Sequence, residues 1–181
     1  MALDTPGLMG KGRLAAQEGV EMIRIEKVNG KNVWEILRLS VREEQKSFVA
    51  GNDTSIIEAY TAITGGGYAF PFGIYDDDTP VGFLMVGYDT DEYWENPPKI
   101  ARKNYNLWRF MIDERYQHRG YGREAMKLAL DFIKTKPCGD AQYCWLSYEP
   151  ENAVARNLYR SFGFRETGDM DEEEVIAVLR L

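Results

Sequence analysis

The segment YNLWRFMIDERYQHRGYGREAMKLALDFIKTK, residues 105–136, reads as a strand, a glycine-bearing loop and a helix in immediate succession. Tyr105 to Ile112 is rich in the aromatic and aliphatic side chains that suit a half-buried pleated surface. From Gly122 to about Lys136, Ala125, Leu128, Ala129, Phe132 and Ile133 recur at spacings of three and four, which predicts an amphipathic helix ended by Pro137 and Gly139. Between strand and helix lies Gln117-His118-Arg119-Gly120-Tyr121-Gly122. Glycines there let the backbone approach a ligand closely, and the first helical N–H groups lack intrahelical partners, so the loop and the helix start together can hold a pyrophosphate. The helix dipole adds to the attraction. The hexamer alone fits a plain glycine turn equally well. A nucleotide-hydrolase loop is excluded because no G-x-x-x-x-G-K-[ST] is present. A dinucleotide fingerprint, with three spaced glycines near the first strand and an acidic residue about 20 positions on, is absent too.

On the N-terminal side, Ile23, Ile25 and Val28 suggest a first strand, and Val33, Ile36, Leu37 and Val41 a helix. Ser55 to Ile63 reads as a second helix, with Ser55 as N-cap and Glu58 completing a capping box, stopped by Gly65-Gly66-Gly67. Tyr68 to Tyr75 and Val81 to Tyr88 flank Asp76-Asp77-Asp78-Thr79-Pro80, the pattern of an antiparallel hairpin whose acidic tip is a solvated turn rather than a metal site. Residues 89–104, with Pro97-Pro98, form an irregular insert. Beyond the long helix, Tyr143 to Tyr148 reads as a strand, Asn152 to Phe162 as a helix, and the chain closes with two strands, the last Val175 to Leu181. The order β-α-α-β-β-β-α-β-α-β-β predicts an α/β fold built on one mixed sheet with helices on its faces.

Acidic residues outnumber basic ones by 29 to 22 in 181 residues, giving a net charge of -7. That argues against a nucleic-acid partner and suits a cationic one. Two cysteines are too few for a disulfide framework, and Cys144 reads as a buried thiol, in keeping with a reducing cytoplasm. No apolar run approaches the roughly 18 residues of a membrane span, and the N-terminus lacks a secretory signal, so a soluble cytoplasmic protein with no membrane partner is expected. Residues 1–21 lack a sustained period and read as a vector-derived leader or a disordered tail, leaving 22–181 as one domain.

The loop and a second element together carry a family likeness. Gln117, Gly120 and Gly122 match the Q/R-x-x-G-x-G/A pattern of the GCN5-related N-acetyltransferases, and Asn152 to Phe164 (NAVARNLYRSFGF) resembles the same family's N-x-x-A-x-x-L-Y-x-x-x-G-F element. The resemblance spans about 22–181 in layout and is most specific over 105–165. It implies a mostly antiparallel mixed sheet of six or seven strands with about four helices, acetyl-coenzyme A as co-substrate, no metal, and a homodimer as one possible assembly. It also implies that the strand before the loop splays from its neighbour, so that backbone groups of Phe110, Met111 and Ile112 meet the pantetheine arm and the acetyl carbonyl. Gln117, His118, Arg119, Gly120, Tyr121, Gly122 and Arg123 would bind the pyrophosphate, Asn152 the pantetheine, and Tyr159 would lie near the sulfur.

Acetyl transfer to an amine needs a neutral nitrogen, a polarised carbonyl and a proton for the departing thiolate. A backbone N–H around Met111 or Ile112 would serve the carbonyl. Tyr159 is the candidate acid, with packing beneath the final strands as its other reading. Glu149 is the candidate base, or else a solvated loop glutamate. His118, the only histidine, holds a variable motif position facing phosphates or solvent. Two further stretches, Leu107 to Asp113 and Val41 to Asn52, resemble the bacterial spermine/spermidine acetyltransferase branch, although Trp108 and Arg109 stand where some polyamine-acetylating relatives carry a glutamate. A polycation would be held by acidic and aromatic groups, the candidates being Glu44, Asp89, Asp91, Glu92, Trp94 and Glu149, each of which also reads as an ordinary surface group. The alternatives are another amine (an amino acid, an antibiotic or a protein N-terminus) and a non-catalytic acyl-CoA sensor.

Overall fold

Side-chain alternation along the central strands decides which helix lies on which face. The computed structural model describes residues 23–181, so the leader lies outside the described residues. The elements are β1 (Ile23–Lys27), α1 (Val33–Ile36), α2 (Asn52–Thr64), β2 (Tyr68–Asp76), β3 (Thr79–Tyr88), β4 (Tyr105–Ile112), α3 (Tyr121–Lys134), β5 (Tyr143–Tyr148), α4 (Ala153–Ser161), β6 (Arg165–Asp171) and β7 (Glu174–Arg180). Their order is the one the hydrophobic periods predict. Seven strands form one sheet in the order β1-β2-β3-β4-β5-β7-β6. Every neighbouring pair is antiparallel except β4 and β5, whose parallel pairing requires the crossover that α3 supplies.

Leu84, Val86 and Leu107 point to one face, where they meet Ala125, Met126, Ala129 and Ile133 of α3, Tyr159 of α4, and Leu146 and Phe164. Phe83, Met85 and Met111 point to the other and meet Ile36 of α1 with Ala59 and Ala62 of α2. Met126 and Ile133 are fully buried, and each contributes about 1.5–3 kcal/mol of hydrophobic stabilisation. A smaller third cluster joins Trp145 and Ile176 to Ala101, with Trp94 packed against it. None of the helices among the described residues is long and apolar enough to cross a membrane.

Two sequence expectations fail in the N-terminal third. The predicted helix through Val41 stops at Ile36, because Ser40 is taken by the end of β4: its N–H donates to Asp113 Oδ2 at 3.0 Å and its carbonyl accepts from Glu114 N–H at 2.9 Å. A 3-10 turn at Glu43–Gln45 follows. Ser55 is not an N-cap either. The helix begins after Gly51, anchored by buried Asn52 donating to the Ile36 carbonyl at 2.9 Å. Ser55 Oγ donates back to the Gly51 carbonyl, and Glu58 reaches β4 instead of a cap, accepting from Arg109 at 2.8 Å.

Candidate active site

The site begins with a gap inside the sheet. β4 and β5 are in register only at Tyr105–Cys144 and Asn106–Trp145, so from Leu107 onward β4 has no β5 partner. Asp113 N–H donates to the Val81 carbonyl, which makes Val81–Asp113 a hydrogen-bonded pair of the antiparallel β3–β4 ladder. Alternation then assigns the backbone of Met111, opposite Phe83, to β3, and turns the N–H and C=O of Phe110 and Ile112 towards the gap. This narrows the expected backbone donors to Phe110 and Ile112. Met111 remains committed to the sheet, with its side chain in the second core.

The loop is held from below and bent by two left-handed residues. Gln117 Nε2 donates to the Ile112 carbonyl at 3.0 Å and to Gln45 Oε1 at 2.8 Å, tying the strand end to the 3-10 turn. His118 has φ +63° and Gly120 φ +88°, so the chain reverses into α3 with its first N–H groups facing outward. Arg119 lies over the Tyr116 ring at 5.6 Å and Arg123 over Phe162 at 5.4 Å, exposed cations that flank the helix start without lining the cleft. Around a Cβ built on Gly120 there is open space, so Gly120→Ala is penalised by conformation alone, about 1–2 kcal/mol. If the loop shifts to relieve it, acetyl-CoA binding weakens about tenfold; a calorimetric titration with coenzyme A, beside a melting curve showing an intact fold, checks this.

From α4 come Asn152 and Tyr159. Asn152 caps the helix, its Oδ1 accepting from Ala155 N–H at 3.1 Å, and also faces the cavity. Tyr159 is buried between Tyr148 and Phe164, with ring centroids 5.5 and 6.0 Å away. Burial first, then the charge of Glu174 and the neighbouring Tyr148, push its phenol well above the usual tyrosine range. It therefore stays protonated at neutral pH.

These parts surround one cavity of about 640 Å³ that runs between the splayed strands and reaches the 3-10 turn region, where Val41, Gln45, Phe48 and Val49 wall it. Phe110, Met111, Ile112, Gln117, His118, Gly120, Tyr121, Gly122, Asn152 and Tyr159 all line it. The expected acceptor residues do not. Glu44 is exposed on the 3-10 turn, and Asp89 is occupied in its loop, accepting from Thr90 and Lys103 N–H groups. Glu92 N–H donates to the Gly65 carbonyl, and Trp94 stacks on Trp145, 6.4 Å between ring centroids. Glu149 stands at the end of β5 but outside the lining. Its carboxyl is raised by partial desolvation and by Glu174, Glu151 and Glu173. Ser147, Glu151 and Glu174 line the cavity instead. Sequence reasoning missed Glu174 because nothing local marks it: it arrives beside β5 only through the β5–β7 register. Among the described residues no three His, Cys, Asp or Glu side chains are grouped as a metal site.

An interrupted parallel strand pair, a left-handed glycine at a helix start and a buried tyrosine across the gap fit an extended thioester with a pyrophosphate. The chain belongs to the acetyltransferase (GNAT) family, whose model matches residues 34–164. It is an N-acetyltransferase with acetyl-CoA as donor. Its relatives include the spermine/spermidine N(1)-acetyltransferase of Bacillus subtilis (strain 168), 31% identical over 156 residues that cover 82% of this chain and 91% of that protein. Similar solved structures include PaiA N-acetyltransferase from Thermoplasma acidophilum in complex with coenzyme A, at a TM-score of 0.59 and 18% identity over 88% of this chain and 99% of that one. Another is aminoglycoside acetyltransferase AAC(6')-Ib in complex with coenzyme A, at 0.69 and 11% over 88% and 95%. At such identities these two establish the fold.

Proposed function

We propose that the acceptor is a primary amine of a polyamine such as spermidine or spermine, acetylated by direct attack on acetyl-CoA with Tyr159 as general acid. The observation that carries this reading is the acidic edge of the cleft. Glu151 from the β5–α4 loop and Glu174 from the β6–β7 hairpin line the cavity, each with an acidic neighbour, Glu149 and Glu173, close by; the carboxyl of Glu149 is raised first by desolvation and then by Glu174, Glu151 and Glu173. Such mutual repulsion is relieved by a ligand carrying several positive charges. The Bacillus subtilis relative supports the same substrate class.

In this mechanism the backbone N–H of Ile112 or Phe110 stabilises the developing oxyanion, as fixed donors in a water-poor site do. Tyr159 gives its phenolic proton to the departing sulfur. The burial that raises its pKa also makes a thiolate there more basic, so donor and acceptor stay matched. Arg119, Arg123 and the start of α3 supply positive potential for the pyrophosphate.

Incubation with acetyl-CoA and spermidine, spermine or putrescine, followed by free-thiol release, is expected to give saturable turnover; none above buffer rejects the polyamine reading. A second reading, an acceptor bearing its own carboxylate, is favoured by Arg109, which lines the cavity beside its 2.8 Å pair with Glu58. Amino acids therefore belong in the same panel.

A further inference from the structure

The candidate base at the end of β5 is not among the residues that line the cavity, so the acceptor's proton needs another destination. Two carboxylates line the cavity. Glu151 is exposed, with no side chain holding it among the described residues. Glu174 is partly buried and fixed at both ends. Its backbone pairs with Asp171 to close a two-residue hairpin in which Glu172 has φ +52°. Its side chain accepts a hydrogen bond from Ser147 Oγ, itself a lining residue on β5. The β5–β7 register, with Ser147 opposite Ile176 and Tyr148 opposite Val175, sets Glu174 one residue past Tyr148, whose ring packs on Tyr159. No Lys or Arg among the described residues pairs with Glu174, so its charge is left for a ligand. Its influence on the Tyr159 phenol places it within electrostatic reach of the candidate acid.

We propose that Glu174, held by Ser147, is the catalytic base that takes the proton from the acceptor ammonium. This rests on the acetyl-transfer reading of the cleft but not on the acceptor's being a polyamine. The ammonium gives one proton to the Glu174 carboxylate, and the freed lone pair forms the N–C bond at the thioester carbonyl, whose π pair moves to oxygen. When that pair returns, the C–S bond breaks with its electrons on sulfur, which takes the phenolic proton of Tyr159. The nitrogen, still carrying two protons and a positive charge, returns one to the phenolate, and Glu174 releases its proton to water. The sum is ammonium plus acetyl-CoA giving N-acetylamine, coenzyme A thiol and one proton. Enclosure of the ammonium in the cavity weakens its hold on the proton and makes the first transfer less uphill.

The test is the pH dependence of kcat and kcat/KM for E174Q, E174D and E149Q, on whichever amine the wild type acetylates best. E174Q is expected to lose about 10²-fold in kcat at pH 7. Its activity should recover as pH rises towards the amine pKa, where free amine needs no base, and E174D should restore part of the rate. Acetyl-CoA affinity and the melting temperature should stay at wild-type values in E174Q, since the amide can still accept from Ser147. E149Q should raise the amine KM and keep the wild-type pH profile. The proposal is overturned if E174Q keeps kcat within about threefold at pH 7, if its loss is the same at every pH, if it loses acetyl-CoA binding instead, or if E149Q is the variant whose profile moves. If the wild type prefers an amine that is not a polyamine, the polyamine reading falls and the comparison of variants still decides Glu174.

Discussion

A Tyr159→Phe enzyme is expected to lose about 10²- to 10³-fold in kcat while its acetyl-CoA KM stays within about threefold. The substitution removes one oxygen and leaves a ring of the same shape against Tyr148 and Phe164. Among the described residues the phenolic OH has no hydrogen-bond partner, so nothing in the fold depends on it. The rate loss is then confined to the step in which sulfur needs a proton, which separates kcat from KM. Steady-state kinetics with saturating amine, together with a melting curve, make the comparison. Wild-type kcat in the variant would remove Tyr159 from the chemistry and return it to the core.

The second large effect concerns stability. Asp113 is buried, and its carboxylate accepts from Ser40 N–H at 3.0 Å, Arg115 N–H at 3.0 Å and the Arg115 guanidinium at 2.7 and 3.2 Å. It ties the end of β4 to the chain leaving α1. Desolvation pushes its pKa up, but the bonds from Arg115 and Ser40 outweigh it and hold the carboxyl below the usual range. A depressed carboxylate stabilises the fold fully above its ordinary pKa and loses that contribution as pH falls through the lower, folded value. Asp113→Ala strands two backbone N–H groups and should cost about 2–5 kcal/mol, lowering the melting temperature by roughly 10 °C near pH 7. The gap between variant and wild type should narrow as pH falls below about 4, where Asp113 of the unfolded chain takes up a proton before the folded carboxylate does. A gap that stays constant from pH 7 to pH 3 would show that the charge contributes nothing.

What could be read from the chain was what has a local period or a local turn. The α3 pattern and its boundaries within a residue or two, the hairpin of β2 and β3, and the order of all eleven elements follow from spacings of two and of three to four. The residues around Gly120 were legible for the same reason, since a glycine that must take φ +88° sits between two periodic segments. The failures share the opposite cause. The helix at Val33 ends where a carboxylate 73 residues away claims Ser40, and the capping box at Ser55 dissolves because Glu58 finds Arg109 on a strand 51 residues on. Aromatic type alone suggests Trp94 as an acceptor contact, whereas its ring stacks on Trp145 and packs on the third core cluster. Glu174 carries no local signal, because charge in the run Asp171-Glu172-Glu173-Glu174 is uniform along the sequence and only the register with β5 brings one member to the cavity.

The early parting of β4 from β5 bears on solubility. A strand with free N–H and C=O groups on the rim of a sheet is a template on which another chain can assemble, and proteins blunt such rims. Here the free stretch beyond Asn106 lies in the interior, between β3 on one side and the cavity walled by Leu158 and Tyr159 of α4 on the other. The molecule thus keeps a strand able to dock an extended small molecule without offering that strand to its neighbours in a crowded solution.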